Sequence, residues 1–225
     1  MEVWTYCASI RPHFLHIHTR ILQADSVLEH HFHITLRPAM TRAVETTDRL
    51  ISGEELLRMT DVGRCELVKG KIKEMPPATG HSHGRLEFRV AQRLGDYLRE
   101  KDVGEVMVGE VGVYTERNPD SVRAPDVLFI SHERLEKSQS EGFLDVPPEL
   151  VVEIMSPNNS WEDMRRKLKE YFDVGVDTVW VVEPSNRAVQ VYGGIDDVQT
   201  LEEGDTLTGD RPLDGLSIDV DTLFE

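Results

Sequence analysis

Residues 149–155 read Glu149-Leu150-Val151-Val152-Glu153-Ile154-Met155, with Pro147-Pro148 before them and Ser156-Pro157-Asn158-Asn159 after. A run this short, apolar and closed at both ends by turn-forming residues reads as a strand. Apolar residues fall on both alternating faces, the pattern of a strand covered on both sides. Glu153 sits inside it, on the same face as Val151 and Met155. An ionised carboxylate in that position is costly unless it is paired or holds a metal.

Working outward, residues 160–173 have helical apolar spacing, and 178–184 (TVWVVEP) and 188–194 (AVQVYGG) read as strands. Upstream, strands are predicted at 105–115 and 125–131, with a loop or short helix over 132–146. Leu86, Val90, Leu94 and Leu98 mark an amphipathic helix over 83–101. Before it, two strand-like runs meet at Lys69-Gly70, a tight hairpin, and Ser52 with Glu55 three residues on forms a capping box for a helix over 52–59. The order of elements describes an α/β fold, a mixed β-sheet flanked by α-helices.

The chain has 225 residues and a formal net charge of −16, a balance that argues against indiscriminate nucleic-acid binding. A site that gathers carboxylates for a divalent cation is itself acidic, however, and basic residues can cluster locally. Cys7 and Cys65 form neither a disulfide framework nor a zinc spacing. No apolar run is long enough for a membrane span, so the expected location is cytoplasmic. Residues 1–39 carry no formal net charge yet hold six of the nine histidines. They read as a non-native or disordered extension ahead of a domain over 40–225, with Met40 as the start. The pairs His16/His18 and His31/His33 could alternatively bind a metal, which would make this a zinc protein.

Three acids stand in or beside apolar strands: Glu66, Asp126 and Glu153. A structural salt bridge would explain any one of them; three together favour a metal site, whose oxygen ligands suit Mg²⁺ or Mn²⁺. On the helix over 160–173, Met164, Leu168, Tyr171 and Phe172 define the stripe that faces the sheet. Lys167 borders that stripe and can reach inward. Arg165 borders its other edge, while Arg166 and Lys169 point away. The plain alternative for Lys167 is an i,i+4 pair with Asp163, worth about 0.2–0.5 kcal/mol.

Pro125-Asp126 followed by a strand acid at Glu153 resembles the PD-(D/E)XK nuclease pattern. The chain from about 48 to 225 resembles the Uma family of bacterial endonucleases. The matching pieces are the run from Cys65 to Ile72, His83-Gly84-Arg85-Leu86, Arg123-Ala124-Pro125-Asp126-Val127 and Val152-Glu153-Ile154-Met155-Ser156-Pro157. Asp163, Lys167, Tyr171, Gly175-Val176 and the run from Val179 to Pro184 continue the match in order.

This resemblance implies a restriction-endonuclease-like fold and metal-dependent hydrolysis of phosphodiester bonds. Asp126 and Glu153 would be the metal ligands, Glu66 a supporting acid, and Lys167 the cation that positions or activates water. In the parent pattern a lysine stands two residues after the strand acid; here that residue is Met155, and the resemblance moves the cation to Lys167. His83 occupies the family's histidine position as an accessory residue, with His81 nearby. DNA is the expected substrate, and a homodimer would supply one site per strand of a duplex. The competing reading is a catalytically weak or inactive binding module of the same fold, which the −16 charge favours. Trp161 and Trp180 are expected in the core. The arginines of 85–101 are expected on a solvated helix face, with a phosphate-tracking patch as the alternative.

Overall fold

Ser52 starts helix α1 (Gly53–Arg58), its hydroxyl accepting from the Glu55 amide while the Glu55 carboxylate accepts from the Ser52 amide. The computed structural model describes residues 49–76, 80–157 and 159–225, so the extension expected at 1–39 and the domain start at Met40 lie outside the described residues. Strands β1 (Cys65–Val68) and β2 (Lys71–Glu74) form the expected hairpin. Its two-residue turn holds Lys69 at φ 50° and Gly70 at φ 73°. Two left-handed residues in succession match the twist of the flanking strands. Helix α2 (His81–Glu100) then buries Leu86, Val90 and Leu94.

Next come β3 (Gly104–Val108), β4 (Val113–Glu116), β5 (Ser121–Arg123), β6 (Val127–Ser131) and a short helix, α3 (His132–Leu135). Strand β7 (Leu150–Ile154), helix α4 (Trp161–Val174) and strand β8 (Thr178–Glu183) follow. The chain closes with β9 (Ala188–Gly194), β10 (Asp197–Leu201), β11 (Thr206–Thr208), β12 (Ser217–Asp219) and α5 (Asp221–Phe224). Residues 105–115 are not the single strand expected. Gly109 (φ 84°) and Glu110 (φ 63°) turn the chain there, and β3 and β4 join different sheets.

Among the described residues the larger sheet has the order β10-β9-β8-β7-β6-β3, and a smaller one the order β2-β1-β5-β4. The larger sheet is mixed: β7 and β8 run parallel, and the other neighbours antiparallel. Parallel neighbours need a crossover, and α4 supplies it. Alternation along β7 sends Leu150, Val152 and Ile154 to the face under α2, while Val151 packs with Met164, Leu168 and Tyr171 of α4. Glu153 shares the α4 face with Val151. Gly175 ends α4 in a left-handed conformation, φ 102°, with its amide donating to the carbonyls of Tyr171 and Phe172. Trp180 lies in the core as expected. Trp161 does not: as the first residue of α4 it is 39% exposed.

Leu168 is fully buried between α4 and the sheet. Leu168→Ala should therefore lower the unfolding free energy by about 2–5 kcal/mol, read from the denaturant midpoint. A loss under about 0.5 kcal/mol would show that α4 is not packed as described.

Candidate active site

Helix α4 starts where the Ser160 hydroxyl accepts from the Asp163 amide, and its apolar stripe seats it on the sheet. That rotation aims Lys167 at the α4 face of β7. The Lys167 Nζ donates to both Glu153 oxygens at 2.9 Å, and the Tyr171 hydroxyl, one turn further on, donates to Glu153 Oε1 at 2.6 Å. The same ammonium lies 2.9 Å from Glu66 Oε1 on β1, an ion pair without hydrogen-bond alignment. Asp163 is engaged elsewhere, with Lys73 at 3.5 Å and Arg166 at 3.0 Å. Lys169 pairs with Asp173. The i,i+4 alternative for Lys167 is thus not what the helix forms.

Behind Glu66 stands a residue to which the sequence reading gave no role. Leu67 of β1 faces Val122 of β5, so the next step along this antiparallel ladder puts Glu66 opposite Arg123. Arg123 is 1% exposed and donates to Glu66 Oε2 at 2.6 Å and to both Glu170 oxygens at 2.5 and 2.7 Å. A guanidinium suits this three-point clamp because its donors are fixed in a planar fork. The detectable signal was an arginine inside the buried triplet Ser121-Val122-Arg123.

Asp126 immediately precedes β6. Its Oδ2 accepts from the Ile154 amide at 2.7 Å, and its Oδ1 lies 3.0 Å from His83 Nε2 on the first turn of α2. His83 Nδ1 is buried without a partner among the described residues, whereas His81 is exposed. Asp126, Glu153, Lys167 and His83 line one cleft of about 790 Å³, together with Arg64 and Glu183. Glu66, 2% exposed, stays behind Lys167 rather than on the cleft wall. Met155 lines the cleft, in the position where the parent pattern has lysine.

A family profile described as "Putative restriction endonuclease", Uma2, matches residues 54–221. The chain belongs to the Uma2 family. A solved structure titled as a putative nuclease belonging to DUF820, from Anabaena variabilis ATCC 29413, superposes with a TM-score of 0.65 at 18% identity. The match covers 77% of this chain and 97% of that one, and it confirms the restriction-endonuclease-like mixed α/β fold. No curated protein matches the chain. No helix among the described residues is long and apolar enough to cross a membrane.

In this Uma2 protein, three carboxylates (Glu66, Glu153 and Glu170) share two permanent cations, Lys167 and Arg123, and a fourth, Asp126, is held by His83 and the Ile154 amide. Burial pushes the Glu153 carboxyl up, Asp126 and Glu66 add to this, and Lys167 and Tyr171 oppose it. Both of the latter donate to Glu153, as suits an acceptor-only carboxylate. Burial also works against the charge on Glu66, but Lys167 and Arg123 outweigh it and hold that group below the usual range. Burial opposes the Lys167 charge too, yet Glu153 and Glu66 raise its pKa well above an ordinary lysine's. The hydrogen bond to Asp126 raises His83.

The excess of negative charge and the cleft position of Asp126 and Glu153 fit a divalent cation held by two carboxylates, with water or phosphate oxygens completing its shell. Among the described residues no group of three or more His, Cys, Asp or Glu side chains could hold an ion alone.

Arg123→Met would strand Glu170 and leave Glu66 with Lys167 alone, and should cost about 3–5 kcal/mol of stability in equilibrium unfolding. Because folding lowers the pKa of Glu66, its stabilising contribution is complete above the unfolded-state value and fades as pH falls through the folded-state one. Melting curves between about pH 6 and pH 3 should therefore fall more steeply for the natural protein than for Glu66→Gln. Parallel curves would show that Glu66 is not held as a paired carboxylate.

Proposed function

We propose that this chain is a metal-dependent endonuclease that hydrolyses phosphodiester bonds, with DNA as substrate, Mg²⁺ or Mn²⁺ as cofactor, and Asp126, Glu153 and Lys167 at its centre. One observation carries this reading. Three residues from separate elements, the loop before β6, the middle of the sheet and helix α4, converge on the wall of one cleft. The family description and the fold likeness support the same class.

The roles follow from the local chemistry. Lys167 is a fixed cation with a raised pKa, so it holds its proton and is unsuited to act as a base. Its contribution is a preorganised positive charge near the phosphate, where negative charge builds up as water attacks phosphorus and an alkoxide leaves. Glu66 and Arg123 keep that ammonium in place. Asp126 and Glu153 would hold the divalent ion, which supplies Lewis-acid charge and makes water a better nucleophile at neutral pH. His83 orients Asp126 through Oδ1, and Ile154 fixes its other oxygen. A homodimer would present two such clefts to the strands of a duplex.

A second reading, a binding module of this fold without catalysis, is favoured by a different observation. Both oxygens of Glu153 and both of Asp126 already accept or face a protein donor.

The full chain, incubated with plasmid, linear and single-stranded DNA and with RNA, should cleave DNA when Mn²⁺ is present and not in chelator. Millimolar Mn²⁺ should also raise the melting temperature by mass action. Asp126→Asn should remove the melting shift and reduce cleavage about 100-fold or more. Lys167→Met leaves two buried carboxylates facing each other and should also destabilise, so it is assayed below its own melting temperature, where it should be inactive while Lys169→Met is active. Absence of both cleavage and a Mn²⁺ melting shift would leave the binding-module reading standing instead.

A further inference from the structure

A second concavity, of about 370 Å³, adjoins the cleft, and Trp161 lines both. It is bounded by α4 on one side and by β9, β10 and their turn on the other. Trp161 is 39% exposed, and Ile195 and Val198 across the groove are 37% and 47% exposed. The charges within it are one of each sign, Arg165 and Asp196. The polar floor is Gln190, which accepts from the Tyr192 hydroxyl and donates one amide N–H to Glu183, itself a residue of the cleft wall. That arrangement leaves Gln190 a second N–H to offer.

We infer that this groove is a binding site for an unpaired nucleobase of the substrate strand, stacked on Trp161 and read at its edge by Gln190. The inference rests on the nuclease reading of the adjoining cleft and adds to it the kind of strand preferred. An exposed indole is a platform on which any base can stack, whereas a groove with balanced charge in a chain of net charge −16 offers little to a phosphate. Its volume is that of a small-molecule pocket. Continuity through Trp161 makes the occupant a base close in sequence to the scissile phosphate. In a duplex the faces of a base are covered by its neighbours, so a base in this groove is single-stranded or extruded from the stack.

The test uses the full chain with Ca²⁺ as divalent ion and two labelled single-stranded DNAs, one of adenosine nucleotides and one abasic with the same number of phosphates. Fluorescence anisotropy should show the abasic strand binding roughly 10- to 100-fold more weakly. Trp161→Ala should lower the affinity for the adenosine strand to the abasic level while leaving abasic binding unchanged, and Trp161→Phe should recover much of the difference. Equal binding of both strands, or no effect of Trp161→Ala, overturns the base site while leaving the nuclease reading intact, as metal-dependent plasmid cleavage would then show. Failure to bind any strand overturns the base site, and loss of cleavage as well overturns the nuclease reading with it.

Discussion

The Lys167 ammonium is the interaction on which the rest of the structure depends. It sits within 2.9 Å of a carboxylate from each of two sheets, Glu66 on β1 and Glu153 on β7. Glu153, whose only other side-chain donor is the neutral Tyr171 hydroxyl, depends on that charge to stay ionised at its depth, because burial penalises an uncompensated carboxylate by several kcal/mol. The ammonium thus ties β1, β7 and α4 to one point. Arg123 makes a second tie between the small sheet and α4 through Glu66 and Glu170. Buried pairs of this kind rarely add net stability over apolar packing. What they provide here is position: a cation held at the cleft wall by partners on either side.

The location of the cleft follows from topology. β7 and β8 run parallel, and the residues after their carboxyl ends, Ser156-Pro157 and Pro184-Ser185, form part of its wall. Ligands in open α/β sheets tend to bind at such strand ends. β6 meets β7 only over Val127↔Val152 to Phe129↔Leu150. Past that point the two strands part, and Glu153 and Ile154 project where their neighbour has left the ladder. A buried acid near the end of β7 can line the cleft here without breaking the sheet.

Much of this was legible in the sequence because it is a matter of period. Two-residue alternation placed Glu153 on one face with Val151, and helical spacing placed Lys167 beside the stripe of Met164, Leu168 and Tyr171. The Ser52 cap and the Lys69-Gly70 hairpin are local and were equally readable. The smaller sheet was not, since β5 has only three residues and joins β1 across more than fifty positions of chain. For that reason Arg123 had no visible partner. The break at Gly109-Glu110 was masked by the apolar residues on both sides of it. Trp161 has the hydrophobicity of a core residue, but as the first residue of α4 it lies at the rim of the core.

The bond from the Ile154 amide to Asp126 Oδ2 completes the backbone pairing of β7 at the point where β6 has departed. A side chain therefore does the work of a missing strand. An apolar residue at 126 would orphan a buried amide, at a cost of about 1–3 kcal/mol. Asparagine keeps an oxygen for that amide while giving up the negative charge. Asparagine at 126 is consequently the substitution that takes a negative charge out of the cleft with the framework left whole.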